Sequence, residues 1–294
     1  MPRGVESSSI VTVRCWGTRG SIPSPGPDTV RYGGNTSCLE VRHGGRRLVF
    51  DAGTGIRPLG DDLVERGLGS MDIFIFLTHF HWDHVQGFPF FAPLYDPEET
   101  ITVVGPKQGD LGVQSLFAGQ MRSVHFPVPF DVISATVRFE HLNGGSYEMG
   151  DVALDVIRVK HPSFVIGYRI RSGGRTICFI PDNEMRGSGH PVGDGWEERM
   201  RDFVGDADLL VHDSTYTEEE YTDRAGWGHS TFLDSVRLAE ESGVKRLLFF
   251  HHAPTRSDDE LDTIVGRLRD DALARGSRLA MDAAAEGREV VLAG

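Results

Sequence analysis

The chain contains little cysteine and no long apolar run. Its three cysteines, Cys15, Cys38 and Cys178, are odd in number and far apart, so we predict buried reduced thiols in a reducing compartment and no disulfide framework. No apolar run approaches the roughly 20 residues of a membrane-spanning helix, and residues 1–9 lack the basic and apolar regions of a secretory signal. We therefore expect a cytoplasmic protein without a membrane partner.

Positive charge is also scarce. The chain has 30 Lys and Arg against 43 Asp and Glu, a formal net charge of −13 over 294 residues. Such a field repels nucleic acid and anionic membranes over long distances, although bound metal ions or a local cationic pocket can reverse it locally. The charge balance thus disfavours structured nucleic acid as a partner without excluding it.

Short strand-like runs occur in two batches, separated by Gly-rich turns. The predicted strands cover residues 10–16, 37–42, 47–50, 72–77 and 102–104 in the first half, and 152–159, 165–171, 176–180, 209–212 and 246–250 in the second. Helical periodicity is clearest over residues 231–241 and 258–274, with Ser230 or Thr231 and then Ser257 as the N-caps. The pattern predicts one domain, residues 1–294, in which two sheets pack face to face with helices outside.

The most informative feature is a cluster of metal-binding residue types directly after the apolar run 71–77. It consists of His79, His81, Asp83 and His84. Imidazoles and carboxylates packed so densely compete for hydrogen bonds unless a cation gathers them, and they are natural ligands of zinc and similar divalent ions. Because His79 and His81 can face one ion while Asp83 and His84 turn to the other side, the cluster predicts two ions.

A two-metal site needs further ligands, and suitable residues stand where other predicted strands end. These residues are Asp51, His161, Asp182 and His251. The same ends of neighbouring strands converge at one edge of a sheet, where widely spaced residues can form a compact site. His252 remains an alternative to His251, although the alternation over residues 247–250 favours His251.

The motif His79-Phe80-His81-Trp82-Asp83-His84 resembles the signature of the metallo-β-lactamase superfold, and the other elements occur in that family's order. The resemblance implies a four-layer αββα sandwich of two mixed β-sheets flanked by helices. It also implies one zinc on His79, His81 and His161, a second on Asp83, His84 and His251, and Asp182 as the bridge between them; manganese or iron are the other candidates. Asp51 would support the ligands from behind, or else only cap the turn at Gly53.

Within the superfold, the chain is similar to the phosphodiesterase branch that includes ribonuclease Z and cyclic-nucleotide phosphodiesterases. The similarity is carried by Gly17-Thr18-Arg19-Gly20-Ser21, Asp213-Ser214-Thr215 and Gly228-His229-Ser230-Thr231. It implies that Asp213 and His229 act on the leaving group, with Asp83 also among the catalytic residues. His229 could instead merely precede a helix cap. Lactamase activity is disfavoured because no cysteine follows a ligand strand.

These observations predict a binuclear metal-dependent phosphodiesterase, in which hydroxide generated on the metals attacks phosphorus. The tRNA-processing members carry a basic arm between the His-rich motif and the next His ligand, and residues 107–160 contain no basic block. A small phosphodiester, such as a cyclic nucleotide or other cyclic phosphate, is therefore the favoured substrate. The alternatives are a tRNA 3′-processing endonuclease, a thioester or lactone hydrolase on the same site, and a metal-binding sensor without activity. A homodimer is expected from similar proteins.

Two sets of residues near the motif allow more than one interpretation. Arg19 and Arg169 could clamp a phosphate or be ordinary surface cations. Aromatic residues beside a phosphate site could stack a nucleobase, although core or dimer packing is favoured for them. These aromatic residues are Trp82, Phe88, Phe90, Phe91 and Tyr95.

Overall fold

Two seven-stranded sheets form the centre of the molecule, which a computed structural model describes over residues 10–67, 72–187 and 189–293. Residues 1–9, which we predict to lack a secretory signal, lie outside the described residues. So does Met71, the first residue of the apolar run. The strands are β1 (Val11–Gly17), β2 (Cys38–His43), β3 (Arg46–Phe50), β4 (Asp72–Phe76), β5 (Thr100–Gly105), β6 (Thr136–His141), β7 (Ser146–Met149), β8 (Val152–Arg158), β9 (Ile166–Ser172), β10 (Arg175–Ile180), β11 (Leu209–Asp213), β12 (Arg246–Phe250), β13 (Ala280–Ala283) and β14 (Glu289–Leu292).

Each sheet contains both parallel and antiparallel strand pairs, and the last strand of the chain, β14, joins the first sheet. The first sheet has the order β14-β1-β2-β3-β4-β5-β6 and the second has the order β13-β12-β11-β10-β9-β8-β7. Strands β3 to β6 are parallel neighbours in the first sheet, and β10 to β13 are parallel in the second. The carboxyl ends of these parallel strands therefore meet at one edge of each sheet.

A core of aromatic and aliphatic side chains joins the two sheets. Phe50 lies at its centre, with ring centroids 5.4 Å from Phe76, 5.3 Å from Tyr168 and 6.0 Å from Phe179. All four rings are fully buried. Removing so much apolar surface from water holds the sheets face to face.

Helices cover the outer faces of both sheets. They are α1 (Ile56–Glu65), α2 (Trp82–Val85), α3 (Val113–Gln120), α4 (Trp196–Val204), α5 (Glu218–Thr222), α6 (Phe232–Glu241) and α7 (Asp258–Ala274). Apolar residues of α1, α2 and α3 form one outer core against the first sheet, and residues of α4, α6 and α7 form another against the second. The predicted four-layer sandwich is thus confirmed.

The two helices predicted from periodicity form where expected and begin at capping boxes. Thr231 Oγ1 accepts the Asp234 N–H at 3.1 Å, and Ser257 Oγ accepts the Glu260 N–H at 3.2 Å. The helical periodicity over residues 258–274 also predicts that Leu273 shares the apolar face of α7, and this is wrong, because Leu273 is 76% exposed. The buried stripe passes instead through Leu268 and Ala272, because residues four apart share a helix face.

The three cysteines are buried free thiols, as the sequence predicts. Burial raises the pKa of both Cys15 and Cys178 to about 12, so neither thiol ionises near neutral pH. Within the described ranges, no helix is both long enough and apolar enough to cross a bilayer. The cytoplasmic location stays a prediction.

Candidate metal centre

All the predicted ligands lie together beyond the ends of strands, Asp83 and His84 in the short helix α2 and the others in loops. The motif His79 to His84 follows β4, His161 follows β8, Asp182 follows β10 and His251 follows β12. Their nitrogen and oxygen atoms form close groups, each with its members within 4.8 Å of one another. The convergence that the sequence predicted for these strand ends is therefore present in the structure.

The first group consists of three imidazoles and one carboxylate: His79, His81, His161 and Asp182. His161 Nε2 lies 3.3 Å from His81 Nδ1, and His79 Nε2 lies 3.7 Å from Asp182 Oδ2. His81 is the exposed member, whereas the other three are buried. The group is thus reached from solvent on the His81 side.

The second group consists of Asp83, His84 and His251. Asp83 Oδ2 lies 3.2 Å from His251 Nε2 and 3.3 Å from His84 Nε2. Asp182 links this group to the first, because its Oδ1 lies 2.9 Å from His84 Nε2 and 3.5 Å from His251 Nε2. The two oxygens of Asp182 therefore face different groups, as a bridging ligand requires.

Several ligand atoms lack any other partner. His79 Nε2, His84 Nε2 and Asp182 Oδ1 are buried and accept or donate no hydrogen bond within the described residues. Buried polar atoms are nearly always satisfied, and cations between these groups would satisfy all three. A donor set of imidazole nitrogens and carboxylate oxygens suits zinc and similar divalent ions. The residues present thus fit a pair of such ions.

Asp51 holds one of the ligands from behind. Its Oδ2 lies 2.7 Å from His84 Nδ1, and its carboxylate accepts hydrogen bonds from Ser37 Oγ and Thr78 N at 2.9 and 2.8 Å. The Gly53 N–H donates to Ser37 O, so the alternative of an Asp51 cap on that turn is wrong. With Nδ1 engaged, His84 presents Nε2 to the cluster, the arrangement that orients metal-binding histidines generally.

Burial and nearby charges shift the pKa values of the cluster in opposite directions. Burial lowers the pKa of His79 well below its usual value and lowers the pKa of His161 to about 4, which keeps both imidazoles neutral. Burial would also lower the pKa of His84, but Asp182 and Asp83 raise it well above its usual value. Burial therefore disfavours positive charge on His79 and His161, whereas the neighbouring carboxylates favour it at His84.

Two glycines leave room for the histidines. A Cβ at Gly20 would lie 2.2 Å from the His251 ring, and one at Gly228 would lie 2.3 Å from His161 Nδ1. Gly228 also has φ +94, which larger residues rarely adopt. The Gly17-to-Ser21 loop contributes directly as well, because Ser21 N donates to Asp83 Oδ2 at 2.6 Å.

Of the two adjacent histidines, His251 lies in the cluster and His252 does not. His252 Nε2 lies 2.9 Å from Ala284 O, and burial lowers the pKa of His252 to about 3. The choice left open by the sequence thus falls on His251.

His229 and Asp213 form a pair beside the cluster. His229 Nδ1 lies 2.7 Å from Asp213 Oδ2, and the His229 ring stacks on His251 with centroids 4.7 Å apart. Asp213 is fully buried and also accepts hydrogen bonds from Thr215 Oγ1 and Asn183 N at 2.7 and 3.0 Å. Since Thr231 caps α6, His229 is not needed for that purpose. The pair can hold a proton at the edge of the cluster.

Sequence reasoning missed Glu184, a fully buried carboxylate two residues after Asp182. It accepts hydrogen bonds from Tyr221 Oη at 2.7 Å, Gly226 N at 2.8 Å and Gly228 N at 3.0 Å. Because Gly228 O lies 2.9 Å from His161 Nδ1, this carboxylate fixes the loop that orients His161 and carries His229. The only signal in the sequence was that Glu184 continues a run of polar side chains after the ligand, Asp182-Asn183-Glu184.

Replacement of Glu184 by alanine is expected to lower the free energy of unfolding by about 2 kcal/mol or more, because two backbone N–H groups would lose a buried acceptor. Chemical denaturation of the purified protein measures the change. Glu98→Ala is the matched control, since Glu98 is exposed. Equal stability of the two variants would contradict this role.

The structure bears on the two sets of residues near the motif for which the sequence allowed more than one interpretation. Arg19 is fully buried and donates to Gly33 O and Arg256 O, and Arg169 donates to Phe203 O, so both arginines hold backbone carbonyls and neither is a free surface cation. Among the aromatic residues, Phe88 and Phe91 are core residues as favoured. Trp82, Phe90 and Tyr95, by contrast, are exposed, so they are not core residues.

Comparison with known proteins agrees with this geometry. A family model described as the beta-lactamase superfamily domain matches residues 46–252. Ribonuclease Z of Haloarcula marismortui is 25% identical over 86% of this chain and 89% of its own length. Ribonuclease Z of Archaeoglobus fulgidus is 26% identical over 83% of this chain and 87% of its own.

Solved structures share the fold at low sequence identity. The metallo-beta-lactamase fold protein YhfI from Bacillus subtilis superposes with a TM-score of 0.69 at 18% identity, covering 96% of this chain and 100% of that one. Human tRNase Z, short form, gives a TM-score of 0.63 at 21% identity, with 95% and 98% covered. Yeast PDE1 gives 0.64 at 14% identity, with 96% and 99% covered. These likenesses confirm the predicted metallo-β-lactamase fold.

Proposed function

The chain belongs to the family described as the beta-lactamase superfamily domain. From this premise we propose that the protein is a metal-dependent hydrolase that cleaves phosphodiester bonds. It would use two divalent ions, with zinc as the first candidate. The observation that carries the proposal is the His229–Asp213 pair, 2.7 Å apart, at the edge of a cluster with two ligand groups. A buried carboxylate that holds an imidazole beside a hydrolytic centre suits protonation of an alkoxide leaving group.

We assign His79, His81 and His161 to one ion, Asp83, His84 and His251 to the other, and Asp182 to both. Bound divalent ions would supply an activated water and neutralise charge on the phosphate oxygens. Manganese and iron fit the same donor set and are distinguished from zinc by metal analysis of the protein as isolated. Asp51 would keep His84 in the orientation that binding needs.

The proton for the leaving group would come from His229. Its Nδ1 faces Asp213 Oδ2, so Nε2 is the atom that can donate to substrate. The Asp213 carboxylate orients the His229 ring, and its own position is held by Thr215 and Asn183. This division of roles resembles general acid catalysis elsewhere: one residue transfers the proton and a buried acid orients it.

The relatives favour a tRNA 3′-processing endonuclease over the small cyclic phosphate that the charge balance favoured. The two sequence relatives, from Haloarcula marismortui and Archaeoglobus fulgidus, are named ribonuclease Z, and this chain covers most of their length. Bound cations in the cluster would offset the negative net charge where the phosphate binds. The prediction that structured nucleic acid is disfavoured as a partner therefore rests only on the net charge and the missing basic block.

A small phosphodiester remains the second candidate, because residues 107–160 offer no basic arm. This segment is wholly described and forms α3, β6, β7 and β8. Its basic residues are scattered along it: Lys107, Arg122, Arg138, Arg158 and Lys160. Without a cationic extension, a long RNA would have few phosphate contacts outside the site.

A substrate panel separates these candidates. Precursor tRNA, 2′,3′- and 3′,5′-cyclic nucleotides, bis(p-nitrophenyl) phosphate and a thioester are assayed with one preparation whose metal content is measured. We expect cleavage of phosphodiesters and none of the thioester. Release of the tRNA 3′ trailer selects the endonuclease, and turnover of cyclic nucleotides alone selects the small substrate. Turnover of the thioester alone, or stoichiometric metal without any turnover, would refute the proposal.

A further inference from the structure

The loop of residues 17–21 contacts two ligands of the second group directly. Ser21 N donates to Asp83 Oδ2 at 2.6 Å, and the same oxygen lies 3.2 Å from His251 Nε2. The backbone of Gly20 faces the His251 ring so closely that a Cβ there would lie 2.2 Å from it. This loop therefore constrains the positions of both Asp83 and His251.

The first group is supported by another part of the chain. His161 Nδ1 lies 2.9 Å from Gly228 O, and Gly228 N donates to the Glu184 carboxylate at 3.0 Å. Within the described residues, no hydrogen bond, ion pair or ring contact joins residues 17–21 to the three imidazoles of the first group. The two ligand groups therefore have separate supports.

Unusual backbone conformations are concentrated at the second group. Among the described residues, those other than glycine with a positive φ are Ser21 (+65), Asp51 (+62), Asp206 (+54) and His251 (+60). His251 is itself a ligand of this group, and Asp51 holds the ligand His84. Ser21, in turn, holds Asp83. Residues with a Cβ keep such conformations only where surrounding contacts impose them, so the second group depends on those contacts.

Arg19 supplies such contacts to the loop of residues 17–21. Its side chain is fully buried, and its Nε and Nη1 donate to Gly33 O at 2.7 Å and to Arg256 O at 2.6 Å. Asp258 Oδ1 lies 3.8 Å from Arg19 Nη2 and offsets the buried charge. Arg19 thus ties the loop to two distant segments without touching a proposed ligand.

The loop is also paired with the segment that carries His251. Gly20 N donates to His252 O, and His252 N donates to Thr18 O, both at 3.0 Å. A shift of the loop would therefore move the backbone directly after His251 as well as the N–H group that holds Asp83.

From these contacts we propose that the loop of residues 17–21, held in place by Arg19, sets the affinity of the ion in the second group and has little effect on the ion in the first. Arg19 is a positioning residue, because its side chain contacts backbone carbonyls and Asp258 rather than a ligand. The proposal rests on the two-ion assignment of the proposed function and adds the part of the chain that controls one of the two ions.

The test counts ions. Zinc-loaded protein is dialysed against graded free zinc set by a chelator, and mass spectrometry measures zinc per chain. Arg19→Lys keeps a charge opposite Asp258, but one ammonium cannot reproduce the fork that holds Gly33 O and Arg256 O. We expect one ion to bind about 10- to 100-fold more weakly than in the wild-type protein, as is usual when the support behind a ligand is lost. The other ion should keep its affinity.

Gly20→Ala tests the same loop with the Arg19 side chain unchanged. Its Cβ would press on the His251 ring, so it should weaken the same ion. The control is Gly26→Ala, where a Cβ would meet no atom within 4 Å and both ions should bind as in the wild-type protein. Gly20→Ala decides the role of the loop even if Arg19→Lys folds poorly.

Two further backgrounds identify the weakened ion. His251→Ala is expected to retain only the ion of the first group, and His161→Ala only the ion of the second. Adding Arg19→Lys should then weaken zinc binding in the His161→Ala protein and leave it unchanged in the His251→Ala protein. The reverse pattern would assign the loop to the first group and overturn the proposal.

Wild-type affinity for both ions in either loop variant would also overturn it, as would equal weakening of both ions, which is the result of a general loss of structure. These measurements do not depend on any substrate. A protein that carries two ions with the expected affinities and cleaves no phosphodiester would refute the proposed function and leave the role of the loop intact.

Discussion

Replacement of Asp182 by alanine is expected to remove most of the bound metal and to lower phosphodiesterase turnover at least about a thousandfold. The two carboxylate oxygens of Asp182 face different ligand groups, so the substitution deletes a ligand from both at once. It also leaves the imidazoles without the anion that offsets the charge of two cations. Metal content by mass spectrometry and steady-state kinetics on the same preparation measure both effects.

The control for this variant is Asp110→Ala, which removes an exposed carboxylate remote in sequence from every proposed ligand. It should retain the wild-type metal content and turnover. A circular dichroism spectrum identifies any general loss of fold in Asp182→Ala. An Asp182→Ala protein that is folded and still carries two ions would contradict the bridging role, whatever its activity.

The second large effect is expected from His229→Ala. Turnover of a substrate with an alkoxide leaving group should fall about 10²- to 10⁴-fold, the range for loss of a general acid. Turnover of bis(p-nitrophenyl) phosphate should fall much less, because nitrophenolate leaves without a proton. The comparison of the two substrates measures the proton transfer itself, since a merely distorted site would slow both.

Metal content is the essential companion measurement, because His229 also lies within 4.8 Å of Asp182 and His251 ligand atoms. We expect His229→Ala to keep both ions. Asp213→Asn should show the same dependence on leaving group to a smaller degree, since it leaves the imidazole in place with a weaker partner. The control His125→Ala alters an exposed histidine outside the cluster. Equal slowing of both phosphodiesters, or loss of an ion, would argue against the acid role.

Much of the site could be predicted because its chemistry is concentrated in short runs. His79, His81, Asp83 and His84 are recognisable by density alone, and Asp51, Asp182 and His251 each follow a β-branched or aromatic run that reads as a buried strand. Parallel strands place such residues at one edge whatever lies between them. Glu184 escaped notice because its role depends on the Gly226 and Gly228 N–H groups, which only folding brings to it.

Several elements of the fold were also missed for identifiable reasons. Helix α1 contains Pro58 and Gly60, which weaken a helical pattern, although proline is tolerated in a first turn and Gly60 lies against Phe91. Strand β14 is short and mostly exposed, and it forms by pairing with β1 from the far end of the chain. The local sequence therefore predicts neither α1 nor β14, because the contacts that stabilise them are with distant residues.

The sequence by itself determined the layered architecture, the motif and the residue types available for metal binding, because strand periodicity and ligand spacing are local properties of the chain. The tertiary structure alone decided that His251 and not His252 enters the cluster, that Arg19 is buried, and that Trp82 is exposed. These outcomes depend on the direction in which a side chain leaves the backbone and on which distant atoms meet it. Both are set by the packing of one sheet against the other.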